Sequence, residues 1–195
     1  MKKILGAALA VLTMTFAGGD IAPVADISTA DTSKDFYVGG GITAYTHYLD
    51  GEKDFFDDAE FSEISGGLEG KAGYTFYRDG AFGAAIEGQI GRSFWGMDLD
   101  SVDYVYNYGA YVKPSWDFTQ TINGYALLGY ARTGIEYDGD LDMTEDGFSY
   151  GIGANYKLDN TWSIYGEYVM LPSFKIEGID DIDNDKITFG ATYAF

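Results

Sequence analysis

From residue 36 to residue 195, apolar residues alternate with small or polar residues in eight segments. A period of two residues is typical of β-strands, because successive side chains point to opposite faces of a sheet. The predicted strands span residues 36–45, 64–76, 82–91, 104–113, 121–137, 148–157, 162–168 and 187–195. The pattern therefore predicts an all-β domain over residues 35–195.

The connections between these segments alternate in length. Short turns are predicted at residues 78–80, 117–120 and 159–160, and longer acidic segments at 49–61, 93–103, 138–146 and 171–184. Short turns on one side and long loops on the other are typical of bacterial outer-membrane barrels with an even strand number. We therefore predict an eight-stranded antiparallel up-and-down transmembrane β-barrel, with both termini on the periplasmic side.

The volume of the side chains predicts which face of each strand points outward. An eight-stranded barrel has an interior just wide enough for side chains to fill. One face of nearly every segment carries Phe, Trp, Tyr or Ile, which is too much ring volume for that interior, whereas the other face is mostly Gly, Ser, Thr and Asn. The apolar face is therefore predicted to contact lipid, and a soluble ligand-binding barrel would need the inverse arrangement.

The fifth segment, residues 121–137, has the weakest alternation. In it we place the apolar and small residues outside and the one cation, Arg132, inside. The residues placed outside are Tyr125, Leu127, Gly129 and Ala131.

The N-terminus carries the pattern of a secretory signal. Lys2 and Lys3 precede a mostly apolar run over residues 4–16, followed by small residues. Such a run is too short to span a bilayer, which needs about 20 residues, and fits a signal peptide. We predict a signal peptide over residues 1–25, with cleavage between residues 17 and 30.

Composition excludes several classes of partner and cofactor. The 195 residues include 31 acidic and 12 basic side chains, for a formal net charge of −19. A phosphate backbone would be repelled by this field, so no nucleic-acid partner is expected. There is no Cys, which excludes disulfides and thiolate metal sites, and we expect no cofactor.

Three features of the chain are similar to the eight-stranded outer-membrane barrels of the OmpA-like and opacity-protein type, a porin-like family. The first strand begins with the glycine-rich segment 36–42, and the seventh contains Tyr-Gly-Glu-Tyr at 165–168. The sequence also ends in Phe195, preceded at alternate positions by Tyr193, Ala191, Phe189 and Ile187. The resemblance covers nearly the whole of residues 35–195.

The resemblance implies a location in the bacterial outer membrane, in contact with lipid and lipopolysaccharide, as a monomer. It implies that Phe195, Tyr193 and Phe189 form the signal read by the barrel-assembly machinery. It also implies a lumen plugged by an ion network, and a structural or surface-interaction role in which the acidic loops bind an extracellular ligand.

Five charged residues are predicted to face the lumen near mid-barrel: Glu69, Lys71, Glu87, Arg132 and Glu167. Charges in a narrow lumen of low dielectric constant persist only when they are paired and hydrogen-bonded, so we expect one network. A narrow ion-conducting pore, opened by rearranging these pairs, is the alternative function. Lys113 and Lys157 are expected to be solvated at the periplasmic mouth.

An enzyme that modifies lipid A is the third hypothesis. It would need a base near a nucleophile, and His47, Asp100 and Ser101 could meet at the outer rim. Against it, His47 has no Ser two residues later, where lipid A deacylase barrels have one, and the predicted lumen is too polar for an acyl chain. We therefore expect no enzymatic activity.

Two further sites are predicted near the outer surface. Asp138, Asp140 and Asp142 offer spaced oxygen ligands for a weakly bound divalent cation, although they do not complete the helix-loop calcium motif. Arg92 is predicted to point toward lipid near the outer interface, where it could meet a lipopolysaccharide phosphate.

Overall fold

The structure, a computed structural model, describes residues 36–49, 63–95, 102–137, 143–174 and 182–195. These residues form a closed barrel of eight antiparallel strands, each hydrogen-bonded to its neighbours in the chain, with the last strand paired to the first. The strands are β1 Phe36–Leu49, β2 Glu63–Asp79, β3 Phe82–Trp95, β4 Val102–Asp117, β5 Ile122–Tyr137, β6 Met143–Lys157, β7 Trp162–Phe174 and β8 Ile182–Ala194. No helix in this part of the chain is long and apolar enough to cross a membrane.

Three tight connections lie at one end of the barrel, which we call the turn end. Between β2 and β3 the chain reverses at Gly80, whose φ of 55° lies in the left-handed region that glycine adopts without strain. Between β6 and β7, an Asp159 carboxylate oxygen accepts hydrogen bonds from the backbone N–H groups of Thr161 and Trp162, at 2.6 and 2.7 Å. The opposite end, where the strands lead toward residues 50–62, 96–101, 138–142 and 175–181, is the loop end.

Side chains alternate between an apolar exterior and a polar interior. Ile42 on β1 is 61% exposed on the outer surface, whereas Glu69 on the neighbouring strand is 4% exposed and points into the lumen. The predicted facing is correct for every strand except β5. The predicted fold class is confirmed by the closed eight-stranded topology.

On β5 the predicted facing was wrong. Tyr125, Leu127 and Ala131 are buried inside the barrel, with Leu127 fully inaccessible, and Arg132 lies on the outer surface. The reason is that the interior beside β5 is filled by aromatic and aliphatic side chains, so apolar residues occupy both faces of the strand. Alternation between apolar and polar residues then no longer distinguishes inside from outside.

The strands extend further toward the loop end than predicted. Strand β6 begins at Met143, β7 continues to Phe174 and β8 begins at Ile182, so each includes residues that were assigned to loops. These extensions contain Asp, Glu, Ser and Thr because strand pairing continues where lipid no longer selects apolar residues.

Candidate functional site in the barrel lumen

Three glutamates and three lysines meet in the middle of the lumen. Their formal charges cancel, and all six residues are buried. They lie on five strands: Glu69 and Lys71 on β2, Glu87 on β3, Lys113 on β4, Glu167 on β7 and Lys186 on β8. We refer to these six residues together with Gln89 as the lumen network.

Glu87 accepts hydrogen bonds from three donors. Lys113 Nζ is 2.7 Å from Glu87 Oε2, and the Tyr37 hydroxyl donates to the same oxygen at 2.6 Å. Gln89 Nε2 donates to Oε1 at 2.8 Å. Lys71 Nζ lies 3.6 Å from Oε1, so two ammonium groups face this one carboxylate.

Glu167 has an equivalent environment on the opposite side of the lumen. Lys71 Nζ donates to Glu167 Oε2 at 2.6 Å and the Tyr125 hydroxyl donates to the same oxygen at 2.9 Å. Gln89 Nε2 donates to Oε1 at 2.9 Å. Because charge-assisted hydrogen bonds are the stronger class, both glutamates are held tightly in place.

The third pair joins the last strand to the second. Lys186 Nζ donates to Glu69 Oε2 and, at 2.8 Å, to Gln89 Oε1. Thr188 Oγ1 lies 3.3 Å from the same Glu69 oxygen. Gln89 therefore links all three pairs, because its amide nitrogen binds Glu87 and Glu167 while its amide oxygen binds Lys186.

Two glycines make room for the tyrosines that bind the network. Tyr37 lies directly across from Gly73 and Tyr125 directly across from Gly153. A Cβ on Gly73 would be 2.2 Å from the Tyr37 ring, and one on Gly153 would be 2.4 Å from the Tyr125 ring. The rings can therefore lie flat along the wall and direct their hydroxyls to the glutamates only because glycine stands beneath them.

Beyond the lumen network, toward the loop end, buried apolar side chains stand beside buried uncharged polar ones such as Ser65, Asn107 and Thr133. A buried cluster is formed by Tyr45, Val105, Tyr111, Tyr125, Leu127, Ala131, Val169 and Leu171. All three of its tyrosines are hydrogen-bonded: Tyr125 to Glu167, Tyr45 to Asn107 Oδ1 at 2.7 Å and Tyr111 to Ser149 Oγ at 3.2 Å. The lumen thus contains a charged network and, toward the loop end, a mixed filling of tyrosines, aliphatic side chains and uncharged polar side chains.

Four of the five residues predicted for the network lie in it: Glu69, Lys71, Glu87 and Glu167. Arg132 does not, because it points outward, where its side chain is 46% exposed and its Nη2 is 3.2 Å from Asp146 Oδ1. The expectation of a solvated Lys113 was also wrong, since Lys113 is buried and pairs with Glu87. Lys157, at the turn end, pairs with Asp117 at 3.3 Å and remains partly exposed.

Lys186 and Gln89 were not identified as network residues from the sequence. Lys186 was assigned to no strand, although it shares its face with Thr188, which was placed inside. Gln89 was placed inside, but carries no charge and so gave no reason to single it out. Extending the inward–outward alternation of the eighth predicted strand by two residues, from Thr188 back to Lys186, would have identified Lys186.

The remaining predicted residues are distributed over the surface. Phe189 and Phe195 are exposed on the outer wall, and the Tyr193 ring packs against Trp162 and Phe195 with centroid distances of 5.0 and 5.1 Å. Arg92 faces outward as predicted, with its guanidinium 5.8 Å from the centre of the Phe94 ring.

Several predictions lie outside the described residues: the signal peptide over residues 1–25, the acidic cluster Asp138, Asp140 and Asp142, and the pair Asp100 and Ser101. Of His47 the structure describes the backbone, which pairs with Glu63 and Asn184.

A closed barrel with an apolar exterior and a charged, filled interior defines the class of small outer-membrane β-barrels. The chain belongs to the outer membrane protein beta-barrel domain family, whose model matches residues 6–195. The protein is therefore a bacterial outer-membrane protein. No curated protein matches the chain.

Solved structures share the fold at low sequence identity. The attachment invasion locus protein Ail of Yersinia pestis, in complex with the heparin analogue sucrose octasulfate, has a TM-score of 0.57 and 18% identity, covering 83% of this chain and 98% of Ail. Neisserial surface protein A has a TM-score of 0.52 and 15% identity, covering 84% and 98%. The outer membrane protein AlkL, solved in lipid bilayers, has a TM-score of 0.51 and 13% identity, covering 91% and 97%.

Proposed function

We propose that this protein is a monomeric surface barrel whose lumen is closed and whose role is interaction through its loops. The lumen network carries this proposal. With its hydrogen-bonded tyrosines, it joins side chains from seven of the eight strands across the interior, and its charges balance. A solute would have to break several of these pairs at once to pass.

The energetics of buried ion pairs support a closed lumen. Separating one such pair leaves an uncompensated charge in a medium of low dielectric constant, at a cost of about 3–5 kcal/mol. Toward the loop end the interior is also filled, by a buried cluster of tyrosines and aliphatic side chains together with uncharged polar ones. An ion that passed the charged network would therefore meet a second closely packed region.

Conductance across a planar bilayer tests the closed lumen against the ion-conducting alternative. We expect no stepwise current from the wild-type protein and discrete openings from Glu87→Ala, which removes the acceptor shared by Lys113, Tyr37 and Gln89. Ile152→Ala, a truncation on the outer wall, is the matched control and should remain silent. Regular openings of the wild-type barrel would instead support the pore.

The loops supply the interaction surface in this proposal, and their charge indicates the partner. The segments 50–62, 96–101, 138–142 and 175–181 are rich in Asp and Glu. Ail was solved with a polyanionic heparin analogue. An acidic surface repels polyanions and attracts polycations, so we propose a cationic extracellular ligand for this chain.

Binding to the protein in lipid nanodiscs tests the loop proposal. The probes are a lysine-rich peptide and sucrose octasulfate. We expect salt-sensitive binding of the peptide, weakened when the segment 50–62 is replaced by a Gly-Ser linker, and no binding of the sulfated sugar. Binding of sucrose octasulfate in preference to the peptide would contradict the proposal.

A further inference from the structure

The outer wall carries a groove where small residues face lipid on three adjacent strands. Its floor is formed by Gly70 and Ala72 on β2, Gly88 on β3 and Ala110 on β4, with β1 along one side. Ala72 pairs directly with Gly88, and Gly88 with Ala110, so the small residues are contiguous. The groove has a volume of about 900 Å³ and is mostly apolar.

The packing of the barrel wall does not require glycine in this floor. A Cβ on Gly70 would come no closer than 3.8 Å to Ile90, and one on Gly88 no closer than 4.0 Å to backbone oxygens. Gly73, by contrast, could not carry a Cβ without displacing the Tyr37 ring. Larger side chains would fit at Gly70 and Gly88, and they would fill the groove.

The loop-end rim of the groove is polar and holds a cation. Tyr130, Arg132 and Asp146 line it, with the Tyr130 hydroxyl 2.5 Å and the Arg132 guanidinium 3.2 Å from the Asp146 carboxylate. A guanidinium has five N–H donors, so an exposed Arg132 can bind an anion while it also contacts Asp146. Charges on a lipid-facing wall are expected at headgroup level, where they remain hydrated.

A second outward arginine lies just beyond this rim, nearer the loop end. Arg92 is two residues beyond Ile90, which lines the groove, and it is paired with Tyr106 on β4. Arg132 is paired with Tyr108 on the other side of β4. Two strand spacings across the sheet and two residues along β4 separate them, so the two arginine backbones lie about 12 Å apart. One cation thus lies at the rim of the apolar groove and a second just beyond it, in a chain with a net charge of −19.

We propose that this groove binds one acyl chain of the lipid A part of lipopolysaccharide, with a lipid A phosphate at Arg132 and Arg92. The occupant must be a membrane amphiphile, because the floor lies within the lipid-facing band. The rim lies at the loop end, which faces the outer leaflet, where lipopolysaccharide is the anionic lipid. An acyl chain of lipid A is apolar, like the floor of the groove. The lipid A phosphates are anionic and therefore complement the charge of the two arginines.

Native mass spectrometry of the detergent-solubilised protein with purified bisphosphorylated lipid A tests the proposal. We expect one lipid A to remain bound to the wild-type barrel. Gly88→Leu should weaken that binding at least tenfold by filling the floor, and Arg132→Gln at least tenfold by removing the cation. Ala110→Leu fills the same groove from β4 and provides a second variant should Gly88→Leu fail to fold.

The controls distinguish a site from general lipid contact. Ala154→Leu adds the same bulk to the outer wall on β6, away from the groove, and Lys157→Gln removes a cation at the turn end; both should bind lipid A like the wild type. Phosphatidylglycerol should bind at least tenfold more weakly than lipid A. Equal losses in Gly88→Leu and Ala154→Leu would overturn the proposal. So would a wild-type dimer that Gly88→Leu dissociates, since a second copy would then occupy the groove.

Discussion

Each carboxylate of the lumen network depends on donors that come from distant parts of the chain. Glu167 on β7 is held by Lys71 from β2, Tyr125 from β5 and Gln89 from β3. Removing this carboxylate would leave Lys71 with Glu87 at 3.6 Å and the face of the Tyr165 ring at 3.6 Å. The network is therefore expected to tolerate the loss of one charge poorly.

We predict that Glu167→Ala lowers the free energy of unfolding by about 3–5 kcal/mol, because it leaves a buried ammonium undercompensated. Urea titration in detergent micelles, followed by tryptophan fluorescence, measures the effect. Asp146→Ala breaks an ion pair on the outer surface and should change stability far less. Similar losses of unfolding free energy in the two variants would mean that burial adds little to the strength of the Lys71–Glu167 pair.

A double-mutant cycle on Glu69 and Lys186 tests charge balance directly. We predict that Glu69→Gln and Lys186→Met are each destabilising, because each leaves the partner's charge uncompensated. The double variant removes both charges and should lose clearly less stability than the two single losses added together. Strictly additive losses, measured by the same urea titration, would contradict the electrostatic interpretation of the pair.

Whether a charged residue could be assigned to the lumen from the sequence depends on the residues beside it in the strand. The inward position of four residues was predictable, because the neighbours of each along its strand are apolar or small and face outward. These are Glu69, Lys71, Glu87 and Glu167. Arg132 stands on β5, where the inward residues are apolar as well, and the assumption that a cation faces inward was wrong. The partners within the network could not be predicted, because pairing depends on distances across the lumen.

At the level of strands, the strand number, order and antiparallel pairing were all predictable, because lipid imposes alternation on seven of the eight strands. Strand β5 is the exception, since it supplies Tyr125, Leu127 and Ala131 to the inner apolar cluster. The predicted strands were too short wherever β-pairing continues beyond the lipid-facing band. The buried cluster of tyrosines and aliphatic side chains was missed for the same reason as the facing of β5.

The last strand is expected to matter more for assembly than for stability. Phe195 contributes a backbone hydrogen bond to Phe36 at 2.9 Å, and its side chain is 62% exposed on the outer wall. We predict that Phe195→Ala, which retains the backbone, lowers the amount of barrel in the outer membrane of cells but refolds into detergent normally. Phe148→Ala removes an equally exposed ring and should leave cellular levels unchanged. Equal amounts of the two variants in the outer membrane would mean that Phe195 acts only as a lipid-facing ring.

For the whole molecule, the acidic loops and the anionic lipid around them place like charges at one surface. Divalent cations relieve such repulsion, and oxygen-rich segments favour calcium and magnesium. We predict weak calcium binding at the loops, with Kd no tighter than about 10⁻⁴–10⁻³ M, to which Asp138, Asp140 and Asp142 contribute.

Isothermal calorimetry measures this binding. The triple substitution of these aspartates by asparagine should reduce the bound calcium and leave the unfolding transition of the barrel unchanged. Asp79→Asn, at the turn end, is the control and should bind calcium like the wild type. No calcium-dependent heat in the wild type would mean that the loops carry plain solvated charge.

The sequence separations across the lumen network have a consequence for how the barrel closes. Glu69 and Lys186 are 117 residues apart, and Lys71 and Glu167 are 96 residues apart. A nascent sheet that contains β2 but lacks β7 and β8 therefore carries two charged side chains without their partners. Since Glu69 and Lys71 gain their nearest partners, Lys186 and Glu167, only with the last two strands, we expect insertion to become favourable only when β8 has paired with β1.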